Sequence, residues 1–252
     1  MPDHTHGEAV SHIAQAYPDR VEVRGRDLCG DLMGRLTFTE YFHLLLTGHE
    51  PTEEQRYFLD LLLVAIAEHG LMPSNVAARM TLAADPGSLQ AAVAAGILGC
   101  GPVVLGTAAE CARLLEQAEA GSPEAVVGKI HSAGGKVPGF GHPIHRPVDP
   151  RAERILELAA EHGVAGANVQ LAGQLREAVE QEWGRPLTMN VSLPIAAVLL
   201  DLGFPSSMVA AVPILARTAS LLAHLAEEQE RPLGPQLAAA AEAAAEYRPE
   251  RE

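Results

Sequence analysis

The sequence predicts an all-α protein, and its composition and its hydrophobic pattern both support that prediction. Hydrophobic residues make up 48% of the 252 residues, whereas aromatic residues make up only 4%. Alanine and leucine must then do most of the packing, and both rank high in helix propensity. The alternation of polar and apolar residues that is typical of strands is limited to Val21–Val23, before Arg24-Gly25. A short strand pair there is the only β structure that we expect.

Capping signals and apolar periodicity place the helices along the chain. Thr37 and Glu40 form a capping box before a helix that ends at Gly48. Ser122 is a suitable N-cap, and Pro123 suits the first helical position. The predicted helices span 37–48, 52–69, 74–84, 88–98, 107–120, 122–132, 150–162, 167–183, 190–202, 206–229 with a kink at Pro213, and 235–247.

Charge and cysteine content limit the classes of partner. The formal net charge is −14, so we expect neither nucleic acid nor an anionic membrane as a partner. The three cysteines have no paired ligand spacing, which favours free thiols in the cytoplasm. The most apolar segment is interrupted by Arg217 and His224, which argues against a membrane span. A small anionic ligand would require a local cluster of arginine or histidine.

The segment 134–145 interrupts the helical pattern. It contains four glycines and two prolines, which are incompatible with the interior of a helix. Such a loop lets the backbone approach a ligand closely, and loops on rigid helices often carry function. Gly135-Lys136 lacks the upstream glycine and the Ser or Thr of a phosphate-binding loop. The chemistry is therefore expected at this loop, but not as a nucleotide site.

A metal site at the same loop has weaker support. His142 and His145, with Asp149, are residue types that bind zinc or iron. Pro143 prevents a regular helical pair, and no third ligand is evident. No metal is therefore predicted.

Several motifs, in order along the chain, resemble those of citrate synthases and citryl-CoA lyases. The run Pro138-Gly139-Phe140-Gly141-His142, followed by Asp149-Pro150-Arg151, looks like their active-site loop. The other similar segments are Arg24-Gly25, Leu44–Gly48 with Pro51-Thr52, Glu68-His69 with Ser74, Gly101-Pro102, Asn190-Val191, Ala216-Arg217 and Arg231-Pro232. The resemblance covers roughly residues 20–235. It implies a citrate synthase-like helical fold with a large domain, 1–105 and 205–252, and a smaller inserted domain, 106–204.

The resemblance also implies roles for individual residues. His69, His142, Arg151 and Arg217 would surround oxaloacetate or citrate, and Arg231 would arrive from the second subunit of a homodimer. Arginine suits this task because its planar fork binds a carboxylate through two hydrogen bonds. The catalytic candidates are His142 and Ser192. The coenzyme A loop would comprise Lys136, Val137, Pro138, Gly139, Phe140 and Gly141. No permanently bound cofactor is expected; a coenzyme A thioester would be substrate or product.

Two positions depart from the family pattern. Val104 stands where the Gly-Pro-Leu-His-Gly-Gly turn carries histidine, and Ser192 stands where a carboxylate follows Asn-Val. Valine neither donates a proton nor titrates. Losing both groups would cost on the order of 10⁴–10⁷ in rate if their effects were independent. Ordinary citrate synthesis is therefore not expected.

Three hypotheses remain open at this level. The first is a lyase that cleaves citryl-CoA or another 3-hydroxyacyl-CoA into acetyl-CoA and an oxo-acid. The second is an enzyme of the same fold that hydrolyses or condenses a different acyl-CoA, with Val104 and Leu105 lining a more apolar pocket. The third is a non-catalytic protein that binds a di-acid or coenzyme A.

Overall fold

The protein is mostly helical, as predicted. The structure, a computed structural model, describes residues 10–101, 105 and 107–248, and it divides into two compact units, 1–60 and 61–252. The helices are α1 (Phe38–Thr47), α2 (Glu53–Ala67), α3 (Pro73–Ala84), α4 (Leu89–Leu98), α5 (Thr107–Ala120), α6 (Pro123–Ser132), α7 (Pro150–Glu161), α8 (Ala167–Trp183), α9 (Ser192–Asp201), α10 (Ala211–Glu230) and α11 (Gly234–Ala244).

The first unit contains a small antiparallel sheet in the order β1 (Ala14–Ala16), β2 (Val21–Val23), β3 (Arg26–Asp27). The predicted pair around Arg24-Gly25 is present as the β2–β3 hairpin, and β1 adds a third strand. Both turn residues have positive φ, +52° and +77°, which matches the right-handed twist of the strands. The core of this unit is formed by Val23, Leu32 and Leu44.

The capping box before α1 forms as the sequence predicts. Thr37 accepts a hydrogen bond from the Glu40 backbone, and the Glu40 side chain accepts one from the Thr37 backbone. Gly48 ends the helix with φ at +83°, a left-handed conformation that glycine adopts without steric cost.

In the second unit, the helices pack in two groups. One group brings α3 against α4, α10 and α11, and the other brings α5, α7 and α8 against α9, with α6 on α5 and α8. Small residues allow this close packing: a Cβ on Gly96 would lie 2.7 Å from Leu221 side-chain atoms. The division into domains at 106 and 204 stays a prediction.

The predicted kink at Pro213 is wrong. A 3₁₀ turn at Ser206–Met208 precedes α10, which begins at Ala211 and has Pro213 as its third residue. Proline is tolerated there because the amides of the first turn have no partner within the helix. The chain therefore starts a new helix instead of bending a continuous one.

The segment Ser206–Glu230 is long and apolar enough to cross a membrane by length and hydropathy alone. However, Arg217 and Glu228 on α10 are both buried inside the protein. Arg217 donates to Asn75, and Glu228 pairs with the fully buried Arg79. These contacts are those of a core helix.

Candidate functional site

A cavity of about 750 Å³ opens in the second unit, a volume typical of a small-molecule site. Its polar lining includes three cationic side chains and one carboxylate, so the lining residues together carry positive charge in a chain of net charge −14. The polar residues are His69, Thr107, Glu110, Lys136, His142, Arg151, Asn190, Ser192 and Arg217. The apolar walls include Ile66, Met72, Leu105, Val137, Phe140, Trp183, Leu187 and Val191. An anionic head and an apolar body would both find partners here.

Backbone hydrogen bonds hold the glycine-rich loop beside the segment before α9. The Gly141 amide donates to the Thr188 carbonyl at 2.7 Å, and the Asn190 amide donates to the Gly139 carbonyl at 2.8 Å. The Asn190 side chain also donates to the Gly141 carbonyl. The loop is therefore fixed in place, which suits a surface that must fit a ligand.

Gly139 is the position in this loop where a side chain has no space. Its φ is +83°, and a Cβ there would lie 2.7 Å from Leu193 Cβ and 3.0 Å from Cys111 Sγ. We expect Gly139→Ala to lower the free energy of unfolding by about 2–5 kcal/mol, through left-handed strain and overpacking together. Gly134→Ala is the matched control, because Gly134 has φ +69° and open space. Urea denaturation measures the free energy of unfolding of both variants. An equal decrease in Gly139→Ala and Gly134→Ala would contradict this packing.

Arg217 is the buried cation of the cavity, and it makes no ion pair among the described residues. Its side chain is buried, and its Nη1 donates to Asn75 Oδ1 at 3.0 Å. Its Nε has no hydrogen-bond partner, and no carboxylate lies within 4.0 Å among the described residues. Burial consequently lowers the pKa of Arg217. A buried guanidinium with no direct ion pair favours an incoming carboxylate.

Arg151 is instead held by a buried counter-ion. Asp149 accepts from Arg151 Nε at 3.0 Å and from Arg151 Nη2 at 2.8 Å, and it also accepts from the Val191 amide. Burial by itself would raise the pKa of Asp149, but the hydrogen bonds and charge of Arg151 outweigh it and the pKa is lowered. Asp149 thus fixes the direction of Arg151 at the start of α7.

The hydrogen bonds of His142 determine which nitrogen carries its proton. Its Nδ1 accepts from the amides of Ile144, at 3.0 Å, and His145, at 2.8 Å. An acceptor nitrogen is unprotonated, so neutral His142 carries its proton on Nε2. Burial, followed by the neighbouring His145, lowers the pKa of His142 and keeps the ring neutral. His142 is therefore suited to donate a hydrogen bond to a ligand oxygen.

His69 lies after α2 and is anchored through its neighbour Glu68. Glu68 accepts from the amides of His69 and Gly70, and from Ser220 and His224 on α10. Burial lowers the pKa of His69, and the nearby Arg151 lowers it further. His69 is therefore also neutral near pH 7.

These two lowered pKa values predict how stability depends on pH. A histidine whose pKa is lower in the folded protein than in the unfolded chain binds a proton more readily when unfolded, so protonation destabilises the fold. The stability that the neutral His69 and His142 rings contribute is therefore complete above pH 6.5 and is lost as the pH falls through their folded pKa values. We expect the Tm to fall as the pH drops below 6.5, and to fall less in the double variant His69→Gln, His142→Gln. Scanning calorimetry measures Tm against pH for the wild type and for the double variant. The same pH dependence of Tm in both would show that His69 and His142 do not cause the loss of stability.

The structure supplies the third histidine that a metal site would need. Ligand atoms of His69, His142 and His145 all lie within 4.8 Å of one another. A histidine that binds metal normally donates its other N–H to an acceptor. His142 Nδ1 instead accepts from two amides, so a neutral His142 has no lone pair on Nε2. The donor set alone suits a metal, but this hydrogen bonding disfavours it.

Most of the predicted site residues line this one cavity. They are His69, His142, Arg151, Ser192 and Arg217, with the loop residues Lys136, Val137, Pro138, Gly139, Phe140 and Gly141. Arg231, at the end of α10, is exposed and is not part of the cavity lining. Val104 lies outside the described residues. The roles assigned to all these residues stay predictions.

Sequence reasoning missed Asn75, Glu110 and Trp183. Asn75 contacts Arg217 across 142 positions of sequence, a pairing that no local pattern reveals. Glu110 lies in the first turn of α5, where acidic residues are common for purely helical reasons. Trp183 did carry a signal, because it is the only tryptophan in a chain with few aromatic residues.

Comparisons with known proteins extend these observations. The family model described as "Citrate synthase, C-terminal domain" matches residues 9–235. "Putative citrate synthase 2" of Mycobacterium tuberculosis is 34% identical over 234 residues, which cover 88% of this chain and 60% of that protein. The chain thus spans about 60% of the length of this curated relative.

Solved structures share the fold. The structure of citryl-CoA lyase from Hydrogenobacter thermophilus matches with a TM-score of 0.85 and 29% identity, over 98% of this chain and 97% of that chain. ATP citrate lyase from Methanothrix soehngenii, solved with citrate and coenzyme A, matches with a TM-score of 0.76 and 22% identity, over 90% of this chain and 40% of that chain. The family model, which matches most of the chain, shows that the chain belongs to the citrate synthase family.

Proposed function

We propose that this protein cleaves citryl-CoA, or a closely related 3-hydroxyacyl-CoA, into acetyl-CoA and an oxo-acid such as oxaloacetate. The observation that carries this proposal is the presence of His69, His142, Arg151 and Arg217 in one cavity. Their combined charge suits a substrate with several carboxylates. The likeness to a citryl-CoA lyase over nearly the full length of both chains supports the same conclusion.

Three of the polar residues have roles that their contacts support. Arg217, which has an unpaired Nε, would bind one carboxylate, and Arg151, held by Asp149, would bind another. His142 would donate its Nε2 proton as a hydrogen bond to the substrate hydroxyl oxygen. The same hydrogen bond would stabilise the alkoxide that develops there as the C–C bond breaks. The hydrogen bonds of His142 thus favour stabilisation of an alkoxide over acceptance of the hydroxyl proton.

A second candidate is an enzyme that acts on another acyl-CoA. Leu105, Trp183 and Leu187 line the cavity, so part of its lining is apolar. An apolar acyl group would gain about 25 cal/mol for each Å² that it buries there. Turnover of a panel of acyl-CoA thioesters discriminates the two functions, because this alternative requires a preference for apolar acyl groups.

The proposal is tested by measuring the release of free coenzyme A thiol from citryl-CoA and malyl-CoA by the pure protein. We expect release by the wild type and a loss of about 10²–10³ in kcat for His142→Ala, because that change removes an oxyanion donor. His12→Ala, which changes an exposed histidine, is the control. No release, or equal release by the wild type and His142→Ala, would reject the proposal. Binding of a di-acid without turnover would instead favour the non-catalytic hypothesis.

We further propose that the protein forms a homodimer in which Arg231 enters the cavity of the other subunit. Arg231 is exposed, and the turn that follows it is held by Glu228, which accepts from the amides of Leu233 and Gly234. A rigid turn can present an exposed cation to a partner. Light scattering that shows only monomer would remove Arg231 from the site.

A further inference from the structure

His145 is the second histidine of the His-x-x-His motif, and the proposed roles leave its side chain unused. Its Nε2 lies 3.0 Å from His69 Nε2, and its ring centroid lies 4.4 Å from that of His142. It is not part of the cavity lining, whereas both of its partners are. His145 therefore lies behind the two histidines that face the ligand.

The contact between His69 and His145 links the protonation of their rings. Two nitrogens at 3.0 Å form a hydrogen bond only if one carries a proton and the other does not. When His69 donates from Nε2, its Nδ1 is an unprotonated base. When His145 donates from its Nε2, neutral His69 carries its own proton on Nδ1 and is an acid at that atom. The position of one shared proton thus sets whether His69 Nδ1 accepts or donates.

We propose that His69 and His145 form a proton relay that replaces the acid and base missing at Val104 and Ser192; this inference rests on the proposed function. The substrate O–H bond breaks, and its proton binds His69 Nδ1 while the His69 Nε2 proton passes to His145 Nε2. The oxygen electrons form the carbonyl of the oxo-acid, and the electrons of the breaking C–C bond form the thioester enolate. The enolate carbon then takes the His69 Nδ1 proton, and His145 returns its proton to His69 Nε2.

One relay suffices because cleavage has no net proton change: the proton lost by oxygen equals the proton gained by carbon. The relay also places the positive charge favourably. Arg151 and Arg217 both disfavour a cation on His69, with Asp149 and the Glu68 carboxylate as nearby anions. Passing the charge to His145 moves it to a residue outside the cavity lining. His145 is therefore a positioning residue that acts through His69.

The pairing itself is tested without substrate, by NMR titration of the histidine ring nitrogens in the full-length protein. Because His145 lowers the pKa of His69, His145→Gln should raise the titration midpoint of His69. Glutamine keeps a hydrogen-bonding group at this position but cannot carry the proton. His12→Gln should leave the His69 titration unchanged. Superimposable His69 titrations in the wild type and His145→Gln would overturn the relay.

The catalytic consequence is tested by citryl-CoA cleavage across a range of pH. His145→Ala should lower kcat by about 10²-fold, the lower end for general acid–base catalysis, with little change in KM. Added imidazole should restore part of the loss in His145→Ala and none in His145→Gln, which leaves no space for it. A folded, active His145→Ala with a wild-type pH profile would overturn the relay alone. An inactive wild type would overturn both the relay and the proposed function.

Discussion

Replacing Arg217 by methionine is expected to abolish tight binding of citrate and, at the same time, to stabilise the unliganded protein. The two effects have one cause. Arg217 is buried and has no carboxylate within 4.0 Å in the described part of the chain, so the folded protein bears a desolvation cost of about 1–4 kcal/mol that methionine would remove. A ligand carboxylate would lose its buried charged partner, which costs about 2–5 kcal/mol and weakens binding at least about 30-fold.

Calorimetric titration with citrate and thermal unfolding without ligand measure the two effects separately. Arg154→Met is the matched control, because Arg154 lies on α7, is exposed, and pairs with Glu157 and Glu161. It should leave binding unchanged and alter stability by less than about 0.5 kcal/mol. If Arg217→Met lowers the Tm and retains full affinity, Arg217 is a structural residue and not a ligand-binding one.

Asp149→Asn is expected to destabilise the protein by about 3–5 kcal/mol, since it leaves the guanidinium of Arg151 without its buried counter-ion. Asp149 now accepts hydrogen bonds from Arg151 and from the Val191 amide. The amide nitrogen of asparagine cannot accept them, so one N–H donor would face another. Citrate affinity should fall as well, because the direction of Arg151 depends on these bonds.

Urea denaturation gives the stability change, and Asp201→Asn provides the comparison. Asp201 accepts from the amides of Gly166, Asn168 and Val169, and no described arginine pairs with it. Its substitution should cost about 1–2 kcal/mol and leave citrate binding intact. Equal destabilisation by the two changes would mean that Asp149 acts only as a helix cap.

The helices were largely predictable because their ends depend on nearby residues. Thr37 and Glu40 lie three positions apart, and Ser122 with Pro123 forms a local start signal. β1 gave no such signal: all three of its residues are exposed, and it forms only by pairing with β2. The start of α10 was also missed, because Pro213 is compatible with either a kink or a first turn.

The site was predictable only where a motif marked it. The loop from Pro138 to His142 stands out in the sequence because glycine and proline interrupt a helical pattern. The link between His69 and His145 spans 76 positions, and the relation of Arg217 to Asn75 spans 142. Such pairs form when segments far apart in the sequence meet in the fold, so the third histidine beside His142 could not be inferred from spacing.

The most direct test of this account is a crystal structure of the protein with citrate. The account predicts citrate in the cavity, with a carboxylate oxygen at hydrogen-bond distance from Arg217 Nε and the hydroxyl oxygen on His142 Nε2. Citrate bound elsewhere, or an Arg217 Nε still without an acceptor in the complex, would contradict it.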